Sequence, residues 1–170
     1  MSSQNAAYWI EHLHLTKHIE GGWYNEVYRS SLILSKERLS PLFAEAKSSC
    51  THIYFLLQQP GFSAFHRIKS DELWHFYAGD PIVVYEIEQN GNLLTHVLGP
   101  NSENGQSHFC VITAGNWFAS EVMKGGVYGL TGCTVSPGFD FIDFELAKKN
   151  VLLNVYPQHA ELLNRLCISN

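Results

Sequence analysis

Between Gly61 and Gly79 the chain reads Gly-Phe-Ser-Ala-Phe-His-Arg-Ile-Lys-Ser-Asp-Glu-Leu-Trp-His-Phe-Tyr-Ala-Gly, which sets His66, Glu72 and His75 in a run of strand-forming residues. Protonatable side chains among aromatics mark a candidate site, because a carboxylate is costly to bury unless it has a partner. A carboxylate beside a histidine fixes its tautomer and raises its pKa toward working pH, which equips the pair to move a proton next to a carbonyl. The catalytic candidates are therefore His66, with Glu72 orienting it, and Tyr54 or His75 as the complementary acid. In a strand His66 shares a face with Ile68. Strict alternation puts Glu72, Trp74 and Phe76 on one face and Leu73, His75 and Tyr77 on the other, so His75 joins Glu72 in one pocket only through a bulge.

Tyr24, Glu26, Trp74, Trp117, Phe118 and Phe139 are the candidates for substrate contact; such aromatics stack on a sugar or base, or fill a core. Glu20 and Glu26 flank the Gly21-Gly22 turn and either reach the pocket or remain solvated. A metal requires three or four converging His, Asp, Glu or Cys donors. His66, Glu72 and His75 would be that set if a divalent ion were present, but their parity argues against it, and none is expected. His52, His96 and His108 lie on other strands as replacement donors.

These residues need a scaffold of short strands. Runs rich in β-branched and aromatic residues cover Thr51 to Leu57, Phe62 to Ile68, Leu73 to Tyr77, Ile82 to Ile87, Leu93 to Leu98, Phe109 to Thr113 and Val127 to Val135, with a further run near Phe141 to Ala147. Turn signals separate them, Asn90-Gly91 being the clearest hairpin. Tight turns between regularly spaced strands predict an antiparallel sandwich or barrel, since parallel strands need longer crossovers. A short amphipathic helix is predicted over Ala6 to Leu15, an extended run near Glu26 to Leu34, a loop with one helical turn over Ser35 to Ser49, and a final helix opened by Pro157.

The 170 residues suit one domain spanning 1–170, and 45% hydrophobic content supports a sizeable core. A net charge of -5 with 11 scattered Lys and Arg leaves no basic stripe for nucleic acid. No apolar stretch approaches the roughly 20 residues that span a bilayer, and the opening Met1 to Asn5 has no basic segment leading into an apolar run. A cytoplasmic location is expected. The four cysteines form no Cys-x-x-Cys pair and read as reduced, mostly buried thiols.

The spacing from Gly61 through His66 and Glu72 to Gly79 resembles the first cupin motif, with Ile68 at the second histidine and the first gap one residue short. The second motif is reduced to the turn glycine of Thr113 to Phe118: Thr113 stands at the proline, Phe118 at the histidine and Val122 at the asparagine. Three further segments resemble the cupin branch labelled predicted sugar epimerases (cupin family five): His18 to Tyr24 with Glu26, Thr51 to Leu57, and Gly132 to Phe141 with Asp143 and Phe144. The resemblance implies a double-stranded β-helix, the cupin jelly-roll barrel, flanked by a short N-terminal and a C-terminal helix. It also implies a homodimer and a pocket at the barrel mouth. By analogy with dTDP-4-dehydrorhamnose 3,5-epimerase, a metal-independent cupin, it implies an isomerase or epimerase acting on a carbohydrate or related polar metabolite. Arg67 and Lys69 would be the cations near the motif if the substrate were nucleotide-linked. The alternatives are a non-catalytic small-ligand-binding cupin and a metal-dependent oxygenase or isomerase with a rearranged ligand set.

Overall fold

A computed structural model describes residues 4–168, so Met1 to Ser3 of the opening segment lie outside the described residues. The strands are β1 (Thr16–Lys17), β2 (Trp23–Arg29), β3 (Ile33–Leu34), β4 (Lys47–Ser48), β5 (Thr51–Gln58), β6 (Phe62–Ile68), β7 (Asp71–Gly79), β8 (Ile82–Ile87), β9 (Leu93–Leu98), β10 (Phe109–Ile112), β11 (Trp117–Val122), β12 (Tyr128–Ser136) and β13 (Phe144–Leu146). Helices α1 (Ala6–His12), α2 (Lys149–Val155) and α3 (Ala160–Leu166) flank them. One sheet runs β1-β2-β5-β12-β7-β10 and faces a second, β13-β6-β11-β8-β9; β3 and β4 make a small pair at one end. Every pairing between these strands is antiparallel. This is the jelly roll that the cupin resemblance implied, with the antiparallel order that the tight turns predicted.

Alternation along the strands sorts the core into layers. Phe55, Leu57, Trp74, Phe76, Ile82, Val84, Ile112, Phe118 and Val122 fill the space between the sheets. On the outer side of the five-stranded sheet, Phe65, Ile87, Trp117 and Ala119 are covered by Leu152, Leu163 and Leu166 of α2 and α3. On the outer side of the six-stranded sheet, Leu56 and Leu130 are covered by Ala6, Leu15 and Trp9 of the N-terminal segment.

Several boundaries differ from the sequence expectation for identifiable reasons. Helix α1 stops at His12 because the chain turns through His14, the one non-glycine residue with positive φ among the described residues. The run from Glu26 to Leu34 is broken after Arg29, and the loop that follows carries a short helical turn at Lys36–Arg38 before β4. Trp117–Val122, read from sequence only as a motif remnant, is a central strand. Helix α2 was not predicted, and Pro157 opens a single tight turn that leads into α3.

Candidate functional site

The open end of the barrel holds a cavity of about 220 Å³ between the sheets. Glu72 and Trp74 from β7, Thr51, Ile53 and Phe55 from β5, Cys133 and Val135 from β12, and His66 and Ile68 from β6 supply its walls by simple strand parity. Phe139, Asp140, Phe141 and Phe144 close it from the segment that follows β12.

His18 and Glu20 enter from the N-terminal segment. The Gly21-Gly22 turn places them there. Gly21 has φ 109° and Gly22 φ 73°, a region open to glycine, and a Cβ on Gly21 would run into the Phe62 carbonyl oxygen. The close approach lets Ala64 N–H donate to the Glu20 carbonyl at 2.8 Å, so Glu20 is stitched to β6 and its side chain is directed inward.

Glu20 is the hub. One carboxylate oxygen accepts from Ser63 Oγ at 2.8 Å. The other lies 3.2 Å from His66 Nε2 and 3.2 Å from His18 Nδ1. Burial pushes the Glu20 pKa up, but the two histidines and Ser63 outweigh it and hold the group below the ordinary carboxylate range. His66 Nδ1 lies 2.7 Å from the Ala64 carbonyl, which can only accept, so the ring proton resides on Nδ1 and Nε2 faces Glu20. Burial draws the His66 pKa down against the pull of Glu20 and the Ala64 carbonyl. The ring is held between Phe118, at 4.0 Å between centroids, and Phe144, at 5.2 Å.

Glu72 is the opposite case. It is buried with no cation beside it, and burial together with the charge of Glu20 raises its pKa to about 8, against smaller opposing effects of the Cys133 thiol and the Trp74 indole. It is therefore a protonated, hydrogen-donating acid at neutral pH. The Trp74 N–H is buried on the same wall, close to the Glu72 carboxyl.

Of the sequence candidates, His66, Glu72, Tyr24, Glu26, Trp74 and Phe139 line the cavity. Tyr54 and His75 do not. Alternation along β7 holds through Glu72 to Phe76, and the bulge appears only afterwards, where Leu130 opposes Ala78 and Thr131 opposes Phe76. His75 therefore faces outward, 3.2 Å from Thr134 Oγ1, in a cluster with His52, whose Nε2 is 3.1 Å from the Tyr77 hydroxyl. Tyr54 is on the same outer face, its ring centroid 5.8 Å from that of Tyr77. Trp117 points to the helix layer under Arg67, and Phe118 is core packing beneath His66 rather than a cavity wall. The partner of His66 is Glu20, not Glu72.

The residues do not fit a metal. Ile68 and Phe118 occupy two positions where the cupin motifs carry histidine, and His66 is turned with Nδ1 on the Ala64 carbonyl and Nε2 on Glu20. With His75 on the far side of the sheet, no group of three or more His, Cys, Asp or Glu is arranged to hold an ion among the described residues.

A protein-family model described as Cupin superfamily (DUF985) matches residues 7–147. The chain belongs to this cupin family. It is similar over nearly its whole length to two solved structures. One is a hypothetical protein from Leishmania major, with 32% identity, TM-score 0.89, and 97% of this chain and 99% of that one covered. The other is a protein from Shewanella oneidensis, with 36% identity, TM-score 0.88, and 98% and 99% covered. More distant is Bacillus subtilis oxalate decarboxylase, with 14% identity and TM-score 0.54 over 92% of this chain and 38% of that one, a likeness of fold alone. None of the curated proteins matches. In this cupin the two histidine positions are apolar, and the buried carboxyl groups of the cavity come from the N-terminal Glu20 and from β7.

Proposed function

We propose that this cupin is an isomerase or epimerase that moves a proton on carbon next to a carbonyl in a small, carbohydrate-like metabolite, without a metal. The observation that carries the reading is the pair of buried carboxyls in one cavity with opposed protonation: Glu20 is held ionised by His18, His66 and Ser63, and Glu72 is held protonated, with a pKa near 8, by its apolar surroundings. Two titratable groups driven apart in this way supply a base and an acid at one pH. In the reaction, the Glu20–His66 pair takes the proton from carbon while Glu72 gives its proton to the carbonyl oxygen. The C=O double bond becomes a C=C double bond and the product of this half-reaction is an enol. Return of a proton to the other face of the same carbon inverts it, and return to the neighbouring carbon isomerises the compound. The Trp74 N–H, buried beside Glu72, supports the oxygen as its charge grows. The aromatic walls exclude water.

The test is incubation with free aldoses and ketoses in deuterated water, read by NMR for deuterium on the carbon next to the carbonyl. Exchange is expected to fall about 100-fold or more in Glu20→Gln and in Glu72→Gln. It should persist in His75→Ala and Tyr54→Phe, whose side chains face away. Saturable binding of a sugar with no exchange above the solvent background would replace this reading with that of a non-catalytic binding cupin.

A further inference from the structure

Among the described residues, each cation around the cavity mouth is held by a carboxylate. Arg29 donates Nε to Glu26 Oε1 at 2.8 Å and Nη2 to Glu26 Oε2 at 2.7 Å, and Nη2 also reaches the Phe139 carbonyl at 3.1 Å. Lys47 is buried against Asp143 at 2.6 Å, with Asp140 at 3.5 Å, and Lys69 takes the other Asp143 oxygen at 2.9 Å. Arg67 pairs with Glu145 at 2.6 Å and stacks 4.4 Å above the Trp117 ring, on the far side of Ile68 from the cavity. Inside, both histidines face Glu20. A phosphate needs convergent cationic donors, of which a guanidinium fork is the best, and among the described residues this mouth offers no cation that is unspent. At about 220 Å³ the cavity also falls below the roughly 300–1,000 Å³ of pockets that enclose drug-sized ligands.

We infer that the cavity takes a small uncharged hydroxy-carbonyl compound and excludes its phosphorylated and nucleotide-linked forms, with Glu26 enforcing the exclusion by occupying the Arg29 fork. The substrate class rests on the proton-transfer reading above; the exclusion itself does not. Glu26, Glu20 and Asp140 line a space that one guanidinium shares, so the interior favours hydroxyl donors over anions. Tyr24, Trp74 and Phe139 offer ring faces to the carbon skeleton.

The experiment is calorimetric titration of the full chain with pyrophosphate at low ionic strength. Wild-type protein is expected to show no saturable binding. Glu26→Gln should free the guanidinium and bind pyrophosphate saturably, about ten- to a hundredfold more tightly than the weakest affinity the titration of wild type would have detected, the effect of one or two hydrogen bonds to a charged group. Adding Arg29→Ala should abolish the gain. Saturable binding by wild type overturns the exclusion, and no gain in Glu26→Gln, with its thermal melt unchanged, overturns the role of Glu26. If Glu26→Gln does not fold, Glu26→Ala carries the same comparison. Absence of deuterium exchange with every sugar, beside the expected pyrophosphate result, would remove the proton-transfer reading and leave the exclusion standing.

Discussion

At the scale of single residues, the proposed acid is set by burial of Glu72 without a counter-charge. Glu72 has an ordinary value of 4.5 when exposed and about 8 when folded, so between those limits the unfolded chain is ionised while the native one keeps its proton. Native stability contributed through this group therefore falls as pH rises from about 4.5 to about 8 and is level above that. Glu72→Gln keeps the shape and cannot ionise. Its thermal melts should lose that decline and gain roughly 1–3 kcal/mol at pH 8.5, read by denaturation across pH. Turnover in wild type should fall above about pH 8, where Glu72 ionises. Sequence reasoning singled out His66 and Glu72 correctly as cavity residues, because a motif spacing and an acid among aromatics are local signals. It paired them wrongly. The Glu20–His66 contact joins residues 46 positions apart; its signal in the sequence was the acid directly preceding two glycines.

At the scale of elements, the Gly21-Gly22 turn and the pleat of β7 decide which groups meet. Gly21→Ala combines a positive φ with a collision against the Phe62 carbonyl, so the segment carrying His18 and Glu20 must lift from β6. The expected loss is roughly 1–3 kcal/mol in chemical denaturation, together with deuterium exchange reduced as far as in Glu20→Gln. Gly105→Ala is the control. Its φ is 73° with nothing within 4 Å of the added Cβ, so it should cost strain alone and leave the cavity chemistry intact. Strand parity was legible in the sequence and predicted that His75 would oppose Glu72 unless a bulge intervened. The bulge exists, but it falls at Tyr77, beyond His75 rather than between Glu72 and His75, and so leaves His75 outside.

At the scale of the whole molecule, a further buried carboxylate, Glu86, holds the end of the barrel without lining the cavity. Glu86 accepts from Thr113 N–H at 3.0 Å and Asn116 Nδ2 at 2.8 Å, and contacts His96 Nε2 at 2.9 Å, which pins the turn between β10 and β11 to β8 and β9. Burial raises its pKa, but these three partners outweigh it and leave the group below the ordinary value of 4.5. Its stabilisation is therefore complete above that pH and is lost as pH falls through the lower folded value. Glu86→Gln should cost about 1–3 kcal/mol at pH 7 and blunt the acid limb of the melting profile, checked by thermal denaturation from pH 3 to 7. The amino-acid sequence by itself determined most of the long strands, the clearest hairpin and the shared face of His66 and Ile68, since periods of two, Asn-Gly turns and apolar runs act over a few residues; the central strand Trp117–Val122 was not among them. It also carried enough motif spacing to point to the cupin barrel. Only the tertiary structure decided that Glu20 meets His66, that Arg29 is spent on Glu26, and that Tyr54 and His75 lie outside. Those outcomes depend on which strands lie side by side and how closely two backbones approach, and no local pattern encodes either distance.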